Sequence, residues 1–199
     1  MSSLTATSKG AATREAIIDR AYEIARFSGV EGLSIGPLAG AVGMSKSGVF
    51  AHFGSREDLQ LAVIESAATR FGEAVFMPAL SQPRGLPRLR ALMHHWFEWV
   101  RGNSGGCVLL GSVTEYDDRP GPLRDQVMRN EQRWRELLRG AIQLAIECGH
   151  LRGGDTDQYA FELYAFPLAV HHEAGLFGYE QARRHGDAAV EGWFASHAA

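Results

Sequence analysis

The sequence predicts an all-α protein of about nine helices, with a small N-terminal helix-turn-helix unit and a larger helical part after it. Three observations predict this. Apolar residues recur at helical spacing through nearly the whole chain. Period-two runs and Asn-Gly or Asp-Gly hairpin turns are missing. Residues 33–59, LSIGPLAGAVGMSKSGVFAHFGSREDL, compress two short helices around a tight turn.

The elements follow in order. A first helix is expected over about residues 13–28, where Ile17, Ala21, Ile24 and Ala25 share a face and Gly29 stops it. Ser34 can cap a short second helix, with Pro37 in its first turn, where a missing N–H costs little. Gly43 breaks that helix, and Ser45 caps a third that ends near Phe53. Ser55-Arg56-Glu57-Asp58 has capping-box spacing, with Asp58 in place of the usual Glu, and opens a long fourth helix striped by Leu59, Val63, Ala67, Phe71 and Ala74. Pro83, Gly85 and Pro87 mark a linker. Helical segments then span about residues 88–101, 108–116, 122–148, 156–177 and 180–196, separated by glycine or proline breaks.

With 199 residues and 45% hydrophobic composition, the chain can bury a good core, as one domain or one with an appendage. The net charge of −3 excludes a protein that is basic overall, so any nucleic-acid contact must come from a local patch. Cys107 and Cys148 form no metal pattern and no disulfide scaffold, which fits a reduced cytoplasmic protein with buried, inert thiols. Residues 1–10 are Ser/Thr-rich and lack the apolar core of a signal peptide, and they read as a frayed arm. No apolar run is long enough to span a membrane.

The informative stretch is the helix-turn-helix. Ala39 is small where the helices cross, and Gly43, four residues on, suits a left-handed turn. Leu38, Val42, Val49 and Phe53 point to a shared core. In such a motif the second helix enters the major groove with its N-terminal residues leading. Residues 32–56 contain no acid, while Lys46, Arg56 and His52 supply positive charge. Helix starts near Ser34, Ser45 and Ser55 add N–H groups suited to phosphate.

On these residues the sequence resembles the TetR family of regulators. The match lies in the first helix, in SKSGVFAHF and in the GSREDL that follows. Phe50 stands where the family usually has Tyr, which removes a hydroxyl, and Arg56 stands where Lys is usual, which keeps the charge. Residues 1–12 are expected to be a flexible arm, and the resemblance implies a DNA-binding domain at 13–54 and a regulatory and dimerisation domain at 55–199. It also implies that Lys46 and Ser47 meet base edges or nearby phosphates. Phe50 would lie against a thymine methyl or sugar, and Ser34, Ser45, His52 and Arg56 would meet phosphates. The partners implied are a palindromic operator in double-stranded DNA, a small organic inducer and a second copy bound through the last two helices. No cofactor is implied. In the DNA-bound form the two third helices would sit about 34–36 Å apart, with the fourth helix carrying the response to ligand.

The remaining residues are compatible with this. The 156–177 helix carries Phe161, Leu163, Ala165, Leu168 and Ala169 on several faces, which suits burial against a partner or within the chain's own core. Phe71, Met93, Trp96, Phe97, Trp134, Tyr164 and His171 are the candidates for a ligand pocket, with Met77 and Leu138 beside them. Plain core is the competing reading of each. Residues 105–125 read as structural, with a rigid turn at Pro120-Gly121-Pro122.

Two other classes compete. His94-His95 with Glu98, and His171-His172-Glu173, raise a small metal-dependent helical enzyme, although neither spacing is that of a standard zinc site. A helical dimer that kept the helix-turn-helix outline without binding DNA is the other alternative. No catalytic triad, nucleophile elbow or phosphate loop appears.

Overall fold

The computed structural model describes residues 3–199, with side chains from residue 9 onward. The helices are α1 (Ser3–Ser28), α2 (Ile35–Ala41), α3 (Lys46–Phe53), α4 (Arg56–Phe71), α5 (Met77–Ala79), α6 (Leu86–Gly102), α7 (Val108–Tyr116), α8 (Pro122–Glu147), α9 (Thr156–Phe177) and α10 (Tyr179–Ser196). A π turn, Gly72–Phe76, joins α4 to α5. Pro78 explains it: proline has no N–H for the carbonyl four residues back, and its ring crowds that carbonyl. With 56–79 counted as one rod, nine rods result among the described residues. Beyond helices, they contain one isolated bridge, Leu151 with Ala198. None of these helices is long and apolar enough to cross a membrane.

The first helix starts earlier than expected. Met1 and Ser2 of the expected arm lie outside the described residues, but helix runs from Ser3 through most of it. Ala11 and Ala12 favour helix, and the segment holds no proline.

The chain forms two compact units, Met1–Thr69 with Gly106–Met128, and Arg70–Gly105 with Arg129–Ala199. In the first, Ile17, Ala21, Leu38, Val49, Leu59, Val63, Ile64 and Ala67 are fully buried in one core. Each large aliphatic side chain there contributes about 1.5–3 kcal/mol. Val108, Tyr116 and Val127 belong to the same core. Thus α7 and the start of α8 join the DNA-binding helices, whereas the sequence placed them in the regulatory part. Two contacts fix α7 there. The Glu115 carboxylate accepts the N–H groups of Val30 at 2.9 Å and Glu31 at 3.1 Å, capping the turn after α1. Gly106 (φ 147°) packs so closely that a Cβ would lie 1.7 Å from the carbonyl oxygen of Arg26.

In the second unit, Leu89, Leu92, Met93, Trp96, Phe97 and Val100 form the buried face of α6. That face packs on α9, and α10 packs against both α9 and α6. Cys107 is buried, but Cys148 is exposed, contrary to the expectation for both thiols. Cys148 sits just past the end of α8, in the turn, and so escapes the core.

Candidate nucleic-acid interface

The backbone sets this site first. Helix α2 ends in a turn where Met44 N–H donates to Ala39 O at 2.9 Å and Gly43 N–H to Gly40 O at 3.3 Å. This is a Schellman ending, and Gly43 takes the left-handed conformation it needs, with φ 67°. Ser45 then caps α3: its Oγ accepts Gly48 N–H at 3.1 Å and lies 3.0 Å from Ser47 Oγ. Val49 and Phe53 turn into the core. Lys46, Ser47, Phe50 and Ala51 are left on the outer face, with Phe50 43% exposed. The Lys46 side chain lies across α2, so that a Cβ at Gly36 would meet its Cε at 3.1 Å. His52 is half-buried in the last turn of α3.

Ser34 is the N-cap residue of α2, but its side chain makes no capping bond, which leaves the hydroxyl exposed. Ser55 caps α4 by accepting Asp58 N–H at 2.9 Å, and its own hydroxyl donates to Asp58 Oδ2 at 2.6 Å. Asp is one methylene shorter than the usual Glu, and its carboxylate meets the serine hydroxyl rather than the serine N–H.

Arg56 is placed differently from expectation. Its Nε donates to Leu33 O at 2.8 Å, another guanidinium nitrogen donates to Glu31 O, and the Glu31 carboxylate lies 3.5 Å away. The guanidinium is therefore held on the α1–α2 turn. Tyr116 donates to Glu31 at 3.1 Å in the same cluster, and burial followed by that bond pushes the phenol pKa well up. Arg14 was not singled out from sequence. It sits over the Phe53 ring at 4.9 Å and so adds an exposed cation beside the end of α3.

The expected ligand residues divide. Phe71 meets Trp134 at 4.6 Å and Trp96 at 5.3 Å between ring centroids, and Trp96 meets Tyr164 at 5.4 Å. All four are buried, and their rings pack edge to face on one another. Tyr164 donates to Glu131 at 2.6 Å. Phe97 lies apart, under the Arg183 guanidinium at 5.3 Å, and Met93 is fully buried. Leu138 is also buried, whereas Met77 is 62% exposed. Trp134 Nε1 and His171 Nε2 are buried without a hydrogen-bond partner. Burial, then a neighbouring His172, lowers the His171 pKa against a backbone bond to Asn103, so the ring is neutral near pH 7.

His94, Glu98 and Glu173 of the histidine clusters engage other groups. Arg183 lies 3.1 Å from His94 Nδ1 and pairs with Glu98 at 2.7 Å. Glu173 pairs with His185. A guanidinium held this close repels a metal cation, and the described residues contain no cluster of three potential ligands.

Residues 17–63 match the family model for bacterial regulatory proteins, tetR family. Residues 85–190 match the Tetracyclin repressor-like, C-terminal domain. Among solved structures, a TetR transcriptional regulator from Chloroflexus aurantiacus J-10-FL is 25% identical with a TM-score of 0.87, over 96% of this chain and 98% of that one. A structure described as the molecular basis for control of antibiotic production by bacterial hormones is 28% identical with a TM-score of 0.72, over 94% and 98%. AibR in complex with isovaleryl coenzyme A and operator DNA shares the fold at 24% identity and a TM-score of 0.70, over 88% and 95%. Comparison with curated protein sequences gives no match.

Proposed function

The chain belongs to the TetR family of bacterial regulatory proteins, and on that premise we propose that it is a repressor. It binds a palindromic operator as a homodimer and leaves it when a small organic inducer binds. The observation that carries this reading is the outer face of α3, where Lys46, Ser47 and Phe50 stand exposed on a rigidly capped helix with no acid between residues 32 and 56.

Lys46 and Ser47 donate to base edges or adjacent phosphates, and the bare Phe50 ring packs on a thymine methyl or sugar. Ser34 and His52 reach phosphate, Ser45 contributes chiefly by capping α3, and Arg14 adds charge. Arg56 acts by holding the α1–α2 turn that positions α2.

The dimer is formed by α9 and α10. Phe161, Ala165, Ala169, His172 and Leu176 fall on one exposed stripe of α9, with Phe161 62% and Leu176 64% exposed. Ala188, Gly192 and Ala195 are exposed on α10, where small side chains allow a second helix to come close. An apolar stripe beside a small-residue surface suits a self-complementary two-fold interface. Two copies bring two α3 helices to one duplex, and the activity belongs in the cytoplasm, where the DNA is.

The test is selection of binding sites from a random duplex library, followed by competition. The reading expects an inverted repeat bound at least a hundredfold more tightly than bulk DNA. An unstructured pool, bound equally on any duplex, points instead to a helical dimer without sequence recognition.

A further inference from the structure

The second unit contains a groove of about 420 Å³ between α5, α6 and α8. Its walls are Ala79, Leu80, Leu92, Leu137, Ala141 and Leu144, with Phe76 stacked at 5.2 Å on Trp134. Trp134 belongs to the ring cluster expected from sequence to line a pocket, but none of the groove's own lining residues does. Arg88, Glu136 and Gln143 complete the lining, and Arg88 is tied to Gln82 O at 3.0 Å.

We propose that this groove is the inducer site and that it takes an uncharged aliphatic molecule of about ten to twelve carbons. The proposal rests on the ligand-responsive reading above. Three observations support it. Six of the eleven lining residues are Leu or Ala, which suit a flexible chain better than a flat ring. Charges of both signs, Arg88 and Glu136, stand among the lining residues, which favours a neutral polar head over an ionic one. The lining is too small for a protein partner, with eleven residues against the roughly 20–30 per side of a stable protein interface. At roughly 30 Å³ per water-sized group, a volume of about 420 Å³ holds about fourteen such groups, which leaves room for a chain of ten to twelve carbons with its polar head.

The experiment titrates the full-length protein with 1-hexanol through 1-tetradecanol below their solubility limits, read by tryptophan fluorescence and by anisotropy on the selected operator. Affinity is expected to rise about fourfold per methylene up to ten to twelve carbons and then stop rising. Saturating 1-decanol is expected to weaken operator binding at least tenfold. Gly140 lines the groove, and a Cβ there would meet nothing within 4 Å, so Gly140→Phe fills it without a backbone clash. Gly140→Phe and Leu137→Asp should each cut decanol affinity at least tenfold while leaving operator binding without alcohol unchanged. Three outcomes would overturn the proposal: no decanol binding, equal binding by wild type and both variants, or binding that leaves operator affinity unchanged. Failure to bind any selected DNA, with decanol binding intact, would remove the regulator reading instead.

Discussion

The two units present their proposed sites in opposite ways. In the first, the aliphatic side chains are buried and the groups proposed to meet DNA stand outside, on α3, fixed by bonds between near neighbours in sequence. In the second, the residues that look most like a site, Phe71, Trp96, Trp134 and Tyr164, are packed against each other, and the proposed groove counts six leucines and alanines among its eleven lining residues. A site built from a local turn declares itself through its capping and turn residues. A site built from the gap between helices depends on contacts that no short motif encodes.

Disrupting the second unit's exposed face should have the largest effect. Phe161→Glu combined with Leu176→Glu puts four charges into a two-fold interface. Sedimentation velocity should show a monomer, and operator binding should be lost with it. A dimer that survives moves the interface off α9.

Next comes a glycine pair. In Gly106→Ala the new methyl collides with the Arg26 carbonyl, and the melting temperature should fall by several degrees. In Gly140→Ala it meets nothing, and melting should hold or rise, since Ala is better than Gly in a helix by about 1 kcal/mol. Equal losses would contradict the docking of α7 onto the first unit.

Arg56→Ala should then cost about 1 kcal/mol, because its hydrogen bonds are charge-assisted but partly exposed. The salt dependence of DNA binding should not change. A shallower salt slope would restore Arg56 to the phosphate contacts.

The smallest effect is with pH. His171 has its pKa lowered below 6.5 by burial, so the unfolded chain takes up a proton more readily. That stabilisation is complete above about pH 6.5 and is lost as pH falls toward the lower folded value. Thermal melts at pH 7.5 and 5.5 should show a smaller acid loss in His171→Gln than in wild type. Some loss should persist, because burial and His94 lower His95 as well.

The helix-turn-helix was legible because each feature is local: Ala39 at the crossing, Gly43 at the turn, Ser45 three residues before the N–H it caps. The bonds that hold Arg56 were not legible, because its partners, Glu31 and Leu33, lie more than twenty residues earlier. The place of α7 was hidden for the same reason, since Glu115 caps Val30 across 85 residues. The aromatic rings were recognised as a group, but hydrophobic patterning reports that a ring is buried, not whether it fills a space or borders one.

The most direct test of the central claim, that the outer face of α3 meets DNA, is salt-titrated fluorescence anisotropy on the selected operator with wild type and Lys46→Ala. The structure predicts tight binding that falls steeply with salt. Lys46→Ala, acting twice per dimer at about 1–3 kcal/mol per base contact, should bind at least about thirtyfold more weakly while remaining dimeric. Unchanged affinity and an unchanged salt slope in Lys46→Ala would place the DNA contact elsewhere on the molecule.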